Sequence, residues 1–266
     1  MTFKIATWNI NSVRLRIGLV ERFLQEHQPD VLCLQEIKCI NDAFPAKAFR
    51  AAGYEYHAVH GQKGYHGVAT VSKLPQREIA SCDYCEMGDC RHIESIVETG
   101  RGPIRIHNFY VPAGGDVPDR QANAKFDHKL RFLDQMHDLD SEAGSVPAIL
   151  VGDLNIAPLE TDVWSHKQLL KVVSHTPIET EGLNAVQAAG NWTDILRQHV
   201  PPQEKLFTWW SYRSPNWQES DKGRRLDHIW SSPRLAPHLR DVEVLRDARG
   251  WEKPSDHVPV MATFDF

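Results

Sequence analysis

Hydrophobic positions alternate with polar ones, or recur at helical spacing, over much of this chain. Residues 3–10 alternate and are rich in β-forming side chains, which is typical of a strand. The next apolar residues recur at helical spacing: Val13, Ile17, Val20 and Leu24. Asn11 or Ser12 is the predicted N-cap of that helix. Residues 31–36 are mostly apolar and run into Glu36, as a buried strand would, so the order strand, helix, strand predicts a layered α/β fold.

The pattern continues with more strands than helices. Short runs of β-forming residues predict further strands at residues 53–59, 68–72, 91–98, 104–111, 147–150 and 224–230, and one that ends at residue 264. Residues 118–136 and 191–199 are predicted helices. Residues 159–190 are polar and lack a strong period, so no element is predicted there. We find no linker rich in Gly, Ser or Pro and predict one domain over residues 1–266.

Composition and charge narrow the class of protein. The chain has 266 residues, of which 41% are hydrophobic and 24% are charged, enough for a sizeable core. It has no apolar run of membrane-spanning length and no signal-peptide pattern at its start, so we expect a cytoplasmic protein that does not bind membranes. The net charge of −5 means that nucleic acid would need a local basic face, or metals that offset the carboxylates.

The cysteine pattern leaves one alternative open. Five cysteines are an odd number in a long chain, which argues against a disulfide framework and for a reducing compartment. Cys82, Cys85, Cys90 and His92 could bind zinc, but a second C-x2-C pair is missing and acidic residues are interleaved. We therefore favour ordinary loop thiols.

Polar residues stand at the ends of several predicted strands. Asp153 and Asn155 follow the strand at residues 147–150, and their spacing of two puts both side chains on one side of an extended backbone. A turn in which both bond their own backbone is the alternative. The residues of this kind are Asn9, Glu36, Tyr110, Asp153, Asn155, Asp227, Asp256 and His257. Carboxylate and amide oxygens select Mg²⁺ or Mn²⁺ over zinc, and with His and Tyr they suit phosphodiester hydrolysis.

Two further stretches are candidates for substrate contact. Residues 61–67 contain three glycines together with Lys63, Tyr65 and His66, and could approach a phosphate through backbone N–H groups. A plain hairpin loop is the alternative. Residues 207–213 are strongly aromatic, which more often indicates core packing than a binding surface.

These residues carry a resemblance to the exonuclease III family, which includes the bacterial exonuclease III enzymes and the human apurinic/apyrimidinic endonuclease. Eight motifs occur in the family's order and span nearly the whole chain: Trp8-Asn-Ile-Asn11, Leu34-Gln-Glu36, Gly64-Tyr-His-Gly-Val68, Asn108-Phe-Tyr-Val-Pro112, Gly152-Asp-Leu-Asn155, Thr208-Trp-Trp-Ser-Tyr-Arg213, Arg225-Leu-Asp227 and Ser255-Asp-His257. The resemblance implies a four-layer α/β sandwich of two packed mixed sheets flanked by helices. It also implies a monomeric, Mg²⁺-dependent DNA repair nuclease, with Mn²⁺ as a substitute, that cuts 5′ to abasic sites and trims 3′ ends of duplex DNA.

The resemblance also implies roles for single residues. Glu36 would be the principal metal ligand, with Asn9, Asp256, Asp153 and Asn155 as the other oxygen donors. The implied catalytic group is Asp153 to activate water, Asn155 to hold the phosphate or that water, His257 oriented by Asp227, and Tyr110 beside the leaving oxygen. Trp209 would line the pocket for the abasic sugar. The other residues expected to contact DNA are Asn11, Lys63, Tyr65, Arg91 and Arg213.

The chain departs from the family's pattern in two places. The human enzyme has an acidic residue at the position of Asn11. The segment at residues 164–177 does not follow the family's usual DNA-facing loop, so His166 or His175 could narrow the pocket. Two rival functions remain: a phosphodiesterase or phosphatase of the wider superfamily with a non-DNA substrate, and a catalytically weak DNA-binding protein on the same fold.

Overall fold

In the computed structural model of the chain, residues 2–214 and 216–266 are described, apart from the side chain of Ser145. Their strands are β1 (Thr2–Asn9), β2 (Val31–Gln35), β3 (Tyr56–His60), β4 (Val68–Ser72), β5 (Gln76–Ala80), β6 (His92–Thr99), β7 (Gly102–Tyr110), β8 (Ala148–Asp153), β9 (Thr193–Asp194), β10 (Trp209–Trp210), β11 (Gly223–Arg224), β12 (Asp227–Ser231), β13 (Leu239–Val244) and β14 (Val260–Asp265). The α-helices are α1 (Ile17–His27), α2 (Ala46–Ala51), α3 (Ala124–Met136), α4 (His166–Leu169), α5 (Pro177–Ala189), α6 (Ile195–His199) and α7 (Trp217–Ser220).

The strands form two six-stranded mixed sheets and one small hairpin. The first sheet has the order β13-β14-β1-β2-β4-β3, and the second has the order β5-β6-β7-β8-β12-β9. Each large sheet contains one parallel pair, β1 with β2 and β7 with β8, and its other neighbours are antiparallel. The remaining pair is β10 with β11. Because the strands of a parallel pair end at the same edge, the polar residues after β1 and β2, and after β7 and β8, are brought together.

Alternation along the strands produces the layers. Phe3, Ile5 and Val31 point to the second sheet, where they meet Ile106 and Val151 in a core between the sheets. The side chains of the intervening residues on each strand point away from this core, because successive side chains of a strand point to opposite faces of the sheet. Those of the first sheet, such as Trp8 and Leu34, pack on Phe23 of α1, and those of the second, such as Phe109 and Leu150, pack on Phe126 and Leu130 of α3. The predicted four-layer α/β sandwich is confirmed.

A buried polar clamp joins the two sheets just beneath the predicted site. The amide of Gln35 donates to Asn108 Oδ1 at 2.7 Å and to Thr7 Oγ1 at 2.9 Å, and the amide of Asn108 donates to the carbonyl of Ala69 at 3.0 Å. Gln35 precedes Glu36, and Asn108 lies two residues before Tyr110. Each such bond contributes only about 1 kcal/mol, but buried partners of this kind fix one registration of the sheets.

Some predicted helix boundaries were wrong. α1 begins only at Ile17, because Asn11 and Ser12 have left-handed backbone angles (φ 48° and 85°) that place them in a turn before the helix. α3 begins at Ala124 and not at residue 118, because the side chain of Asn123 accepts the N–H of Lys125 and caps the helix there.

Residues 159–190 contain a helix that we did not predict. α5 starts at Pro177, directly after Thr176, which forms a reciprocal capping box with Glu179. The sequence signal was present in Thr176-Pro-Ile-Glu179, which has the spacing of a capping box and a proline at the first helical position. The predicted strand at residues 224–230 is instead interrupted at Arg225 and Leu226, so that Asp227 begins β12.

Candidate active site

The predicted strand-end residues meet in one open cavity of about 820 Å³. The members of the predicted set that line it are Glu36, Tyr110, Asp153, Asn155, Trp209, Arg213, Asp256 and His257. They come from the ends of both large sheets, from the β10–β11 hairpin and from the loop before β14. Residues far apart in the chain are thus assembled by the stacking of the two sheets.

The backbone at the end of β8 depends on a glycine. Gly152 has φ 141° and lies opposite Phe109 of β7, where a Cβ atom would come within 1.9 Å of the Phe109 carbonyl oxygen. Two residues later Asn155 takes the left-handed conformation (φ 54°), which Asn tolerates better than most residues. Its N–H donates to Asp153 Oδ1 at 2.9 Å, so the Asp153 half of the alternative turn does form, whereas the Asn155 amide donates to the carbonyl of Val111 at 2.8 Å. The same turn directs Asp153 and Asn155 into the cavity.

The loop before β14 is held against the end of β1. Ser255 Oγ donates to the carbonyl of Asn9 at 2.7 Å, and Trp8 Nε1 donates to the carbonyl of His257 at 3.0 Å. These bonds fix Asp256 and His257 over the first sheet while their side chains face the cavity.

One side of the site is the Glu36 group, which we define as Asn9, Asn11, Glu36, Lys38 and Asp256. Glu36 accepts from Asn9 Nδ2 at 3.0 Å and from the hydroxyl of Tyr110 at 2.8 Å, and it pairs with Lys38 at 2.8 Å. Burial alone would raise the pKa of Glu36, but the charge of Lys38 and the hydrogen bonds outweigh burial and lower it. Glu36 therefore stays ionised at neutral pH.

Asn11 and Asn9 connect this group to its surroundings. Asn11 Oδ1 accepts from Lys38 at 2.6 Å, and its amide donates to Asp256 Oδ1 at 3.3 Å. The amide nitrogen of Asn9 also donates to Asp153 Oδ2 at 2.9 Å, so one side chain bridges Glu36 and Asp153.

The other side is the Asp153 group, which we define as Asp153, Asn155, Thr208, Asp227 and His257. Asp227 Oδ2 accepts from His257 Nδ1 at 2.9 Å and from the hydroxyl of Thr208 at 2.6 Å. His257 Nε2 then lies 3.6 Å from Asp153 Oδ2. This order fixes the imidazole orientation through one nitrogen and presents the other to the cavity.

The pKa values of Asp153 and His257 are shifted from their ordinary values. Burial, and to a lesser extent the nearby Asp227, raises the pKa of Asp153 to about 7. Burial would lower the pKa of His257, but the negative charges of Asp227 and Asp153 outweigh it and raise this pKa to about 10. A carboxylate that titrates near neutrality beside a cationic imidazole is suited to accepting and donating protons.

The adjacent tryptophans face opposite ways, as the strand period predicts. Trp209 lines the cavity and donates through Nε1 to Asp256 Oδ2 at 2.9 Å. Trp210 is 1% exposed and packs in the core with Phe207 and Val258. The resemblance therefore assigned the correct member of the pair to the cavity.

Several residues predicted to contact substrate lie elsewhere. Lys63 and Tyr65 are exposed in their loop and do not line the cavity, and Tyr65 is 68% exposed. Arg91 is buried behind the site, with its guanidinium 4.8 Å from the ring centre of Tyr110 and 2.7 Å from Asp89. Arg91 does not line the cavity in this geometry but packs against Tyr110, so its contact with substrate stays a prediction.

The two histidines of the divergent segment, His166 and His175, are not among the residues that line the cavity. His166 Nδ1 lies 2.8 Å from His175 Nε2, and His175 Nδ1 lies 2.6 Å from the carbonyl oxygen of Ala157. The segment lines the cavity through other residues, among them Trp164, Val172, Val173 and Ser174. Neither His166 nor His175 lines the cavity, so the possibility that one of them narrows it directly is not realised in this geometry.

Four functional candidates were missed from the sequence. Lys38 neutralises Glu36, and Thr208 fixes Asp227. Arg224 lines the cavity with its guanidinium 5.3 Å from the ring centre of Trp209. Lys129 is fully buried, donates to the carbonyl of Asn155 at 2.8 Å and pairs with Glu179 at 2.5 Å. Its signal was a charged residue on the apolar face of a predicted helix, three residues after Phe126.

The donor set of the cavity fits a hard divalent cation. The carboxylates that line it are Glu36, Asp116, Asp153 and Asp256. Lys38 pairs with Glu36, and His257 lies beside Asp153 and pairs with the buried Asp227. Lys38 Nζ lies 2.8 Å from Glu36, so the Glu36 carboxylate already faces a basic side chain. Oxygen donors of this kind suit Mg²⁺ or Mn²⁺. Donor atoms of Asp153, Asp227 and His257 also lie within 4.8 Å of one another.

No cysteine of the described residues takes part in a group of three or more metal-binding side chains. All five cysteines are free thiols. The zinc site that we considered at Cys82, Cys85, Cys90 and His92 is thus not assembled among the described residues. In the same described residues, no helix is both long and apolar enough to cross a membrane.

Comparison with known proteins places this site in a family. Residues 6–257 match the Endonuclease/Exonuclease/phosphatase family, and the chain belongs to it. Exodeoxyribonuclease III of Haemophilus influenzae is 34% identical over 272 residues, covering 98% of this chain and 99% of that protein. The family is metal-dependent.

Solved structures agree in fold over nearly the full length. An AP endonuclease from Archaeoglobus fulgidus has a TM-score of 0.90 and 32% identity, covering 99% of this chain and 100% of that one. A 3′ phosphatase, NExo, from Neisseria, solved with a product DNA hairpin, has a TM-score of 0.90 and 32% identity, covering 99% of this chain and 100% of that one.

Proposed function

We propose that this chain is a Mg²⁺-dependent DNA repair nuclease of the exonuclease III type, which cuts 5′ to abasic sites and trims 3′ ends of duplex DNA. The observation that carries the proposal is the array of Asp227, His257 and Asp153 beside Glu36 and Asp256 in one cavity. Such an array suits phosphodiester hydrolysis, and the similarity to an exodeoxyribonuclease III and to an AP endonuclease supports DNA as the substrate.

In this proposal Asp153 accepts a proton from the attacking water. Its pKa of about 7 allows it to be ionised and still basic near neutral pH. Asn155, whose backbone bonds Asp153 Oδ1, holds that water or a phosphate oxygen. The turn after β8 sets the position of Asp153 and Asn155, and Lys129 stabilises that turn by donating to the carbonyl of Asn155.

His257 donates to a phosphate oxygen as charge develops there. The raised pKa of about 10 keeps the imidazole cationic, and Asp227 with Thr208 fixes its orientation. Tyr110 lies at the same cavity with its hydroxyl on Glu36, where it can reach the phosphate or the leaving oxygen.

Mg²⁺, when bound, would be held by Glu36 and Asp256, with Asn9, Asp153 and Asn155 as further oxygen donors, and would offset the phosphate charge. Mn²⁺ could substitute, since it prefers the same donors. The low pKa of Glu36 keeps its carboxylate ready for a cation.

The cavity wall provides the local basic face that DNA needs on a protein of net charge −5. Arg213, Lys222 and Arg224 line the cavity, as do Trp164 and Trp209. Cations suit the phosphate backbone, and flat apolar walls suit an abasic sugar.

Residues 1–266 would act as a single catalytic domain and a monomer in the bacterial cytoplasm, as proposed by analogy with the Haemophilus relative.

The test is cleavage of a duplex with one abasic site, beside a 3′-phosphate duplex and a phospholipid substrate. Wild-type protein should process both DNA substrates in Mg²⁺, leave the lipid intact and lose activity in EDTA. Full activity without metal, or turnover of the lipid alone, would contradict the proposal. The ratio of the two DNA rates measures the balance between abasic-site cleavage and 3′-end trimming.

A further inference from the structure

A second group of metal-binding side chains lies on the outer face of the second sheet. His92 and Glu94 are two residues apart on β6, and His107 of β7 pairs directly with Glu94. All three therefore point to one face of the sheet. That face is the one covered by α3, since His92 stacks on Phe109 at 4.4 Å and meets the edge of Tyr84 at 5.5 Å. The active-site residue Tyr110 follows Phe109 and points to the opposite face.

Two of the three donor–donor distances match those of a tetrahedral metal site. His92 Nε2 lies 3.3 Å from His107 Nδ1, and His107 Nδ1 lies 3.3 Å from Glu94 Oε2. All three donor atoms lie within 4.8 Å of one another. In a tetrahedral zinc site with bonds of about 2.0–2.1 Å, neighbouring ligand atoms are about 3.3 Å apart. Two imidazoles and one carboxylate, with the fourth position open, are also a known zinc ligand set.

The hydrogen-bond pattern leaves one pair of acceptor atoms facing each other without a donor, and a cation would stabilise such a pair. The backbone N–H of Cys82 donates to His92 Nδ1 at 3.2 Å, so a neutral His92 carries its proton on Nε2 and donates it to His107 Nδ1. His107 Nδ1 then has no proton, yet it faces the Glu94 carboxylate oxygen at 3.3 Å. Two atoms with lone pairs face each other without a hydrogen between them.

A proton is not readily added between His107 Nδ1 and the Glu94 carboxylate. Burial lowers the pKa of His107 to about 3 and lowers that of His92 well below its ordinary value. The guanidinium of Arg105 approaches the other oxygen of Glu94, Oε1, at 3.9 Å, which leaves Oε2 for a partner on the histidine side. The Glu94 side chain is 26% exposed, so solvent can reach the group.

We propose that His92 Nε2, His107 Nδ1 and the Glu94 carboxylate form a zinc site that is separate from the catalytic cavity, with water as the fourth ligand. Imidazole nitrogens favour zinc over Mg²⁺, whereas the catalytic cavity offers mostly oxygen. A neutral His92 that binds zinc through Nε2 carries its proton on Nδ1, so zinc binding breaks the hydrogen bond from the Cys82 N–H. The site would join β6 and β7 directly behind Arg91 and Tyr110.

The test is a zinc titration of the metal-free full chain against a chromophoric chelator. With Mg²⁺ in excess to occupy the catalytic cavity, one zinc should bind per chain, and Glu94→Gln, which keeps the side-chain shape at a partly exposed position, should weaken the affinity at least ~10-fold. His107→Asn should act in the same way. Two matched variants should bind zinc as the wild type does: His238→Gln, at an exposed histidine, and Glu36→Gln, in the catalytic cavity.

Two further readouts separate this site from zinc bound elsewhere. The Cys82 amide should change its ¹⁵N–¹H resonance on zinc addition to the wild type, and Co²⁺ in place of zinc should give the visible absorption of a four-coordinate site. Absence of stoichiometric zinc binding would overturn the proposal. So would unchanged affinity in both Glu94→Gln and His107→Asn, or an affinity that is lost only in Glu36→Gln.

Discussion

The Glu36 group and the Asp153 group use the same side-chain chemistry in opposite ways. Glu36 is a half-buried carboxylate and Asp153 a fully buried one, and both accept from the amide of Asn9. The charge of Lys38 and hydrogen bonds outweigh burial and lower the pKa of Glu36, whereas at Asp153 burial outweighs the charge of His257 and raises the pKa to about 7. One carboxylate is kept ionised for a cation, and the other can exchange a proton near neutral pH. The difference in role between Glu36 and Asp153 therefore comes from the groups around each carboxylate and not from the type of residue.

The largest effect should come from Asp153→Asn. We expect kcat on abasic duplex to fall by ~10²–10⁴-fold, the scale for removing a general base, while DNA binding is retained. His257→Ala should lose a similar factor through transition-state stabilisation. Steady-state kinetics with separate kcat and KM values measure this, and a change confined to KM would reassign either residue to substrate holding.

Asp153→Asn should also show that the residue is placed for activity and not for stability. A carboxyl whose folded pKa is raised above its unfolded value destabilises the fold when it is ionised, at pH above about 7. The neutral amide avoids this, so the melting temperature at pH 8 should equal or exceed that of the wild type. A marked decrease would mean that Asp153 also has a structural role.

The next effect separates the two tryptophans beside the Glu36 group. Trp210→Ala should destabilise the protein by ~3–5 kcal/mol, the range for removing a fully buried large aromatic side chain. Trp209→Ala should leave the melting temperature nearly unchanged, but lower kcat/KM on abasic duplex more than on a 3′-phosphate end. The measurements are the thermal unfolding curve and the kcat/KM on both substrates for each variant. A lower melting temperature in Trp209→Ala alone would mean that Trp209, and not Trp210, is the core residue.

A smaller effect should appear in Glu36→Ala. The Mg²⁺ concentration for half-maximal rate should rise at least ~10-fold, because an ionised oxygen donor is lost. Added Mg²⁺ should restore the rate only in part. The measurement is a Mg²⁺ titration of the initial rate, with Glu94→Gln as a variant outside the cavity. An unchanged Mg²⁺ requirement would remove Glu36 from the proposed metal ligands.

The sequence was informative about this site because its residues fall in recognisable local patterns. Glu36 and Asp153 follow apolar strand runs, and the parallel pairs of each sheet bring such ends together. The opposite orientation of Trp209 and Trp210 follows from the period of a strand. The four layers followed from the family resemblance, and the alternating strands agree with it.

Other features depend on distant partners and could not be predicted in this way. The position of Arg91 behind Tyr110 depends on its pair with Asp89. The roles of Lys38 and Thr208 depend on the loop geometry after β2 and on the return of Asp227 from a remote strand. The pKa values of about 7 and about 10 depend on burial by both sheets, which no local pattern contains.

The most direct test of the division between the two groups is the pH profile of kcat/KM for the wild type and for Glu36→Gln, each at saturating Mg²⁺. Asp153 must lose its proton and His257 must keep its own, so the wild-type rate should fall below pH about 7 and again above pH about 10. Glu36→Gln should keep the acid limb near pH 7 while it needs more Mg²⁺. An acid limb that disappears in Glu36→Gln would show that Glu36 is the group that exchanges the proton, and would contradict the account.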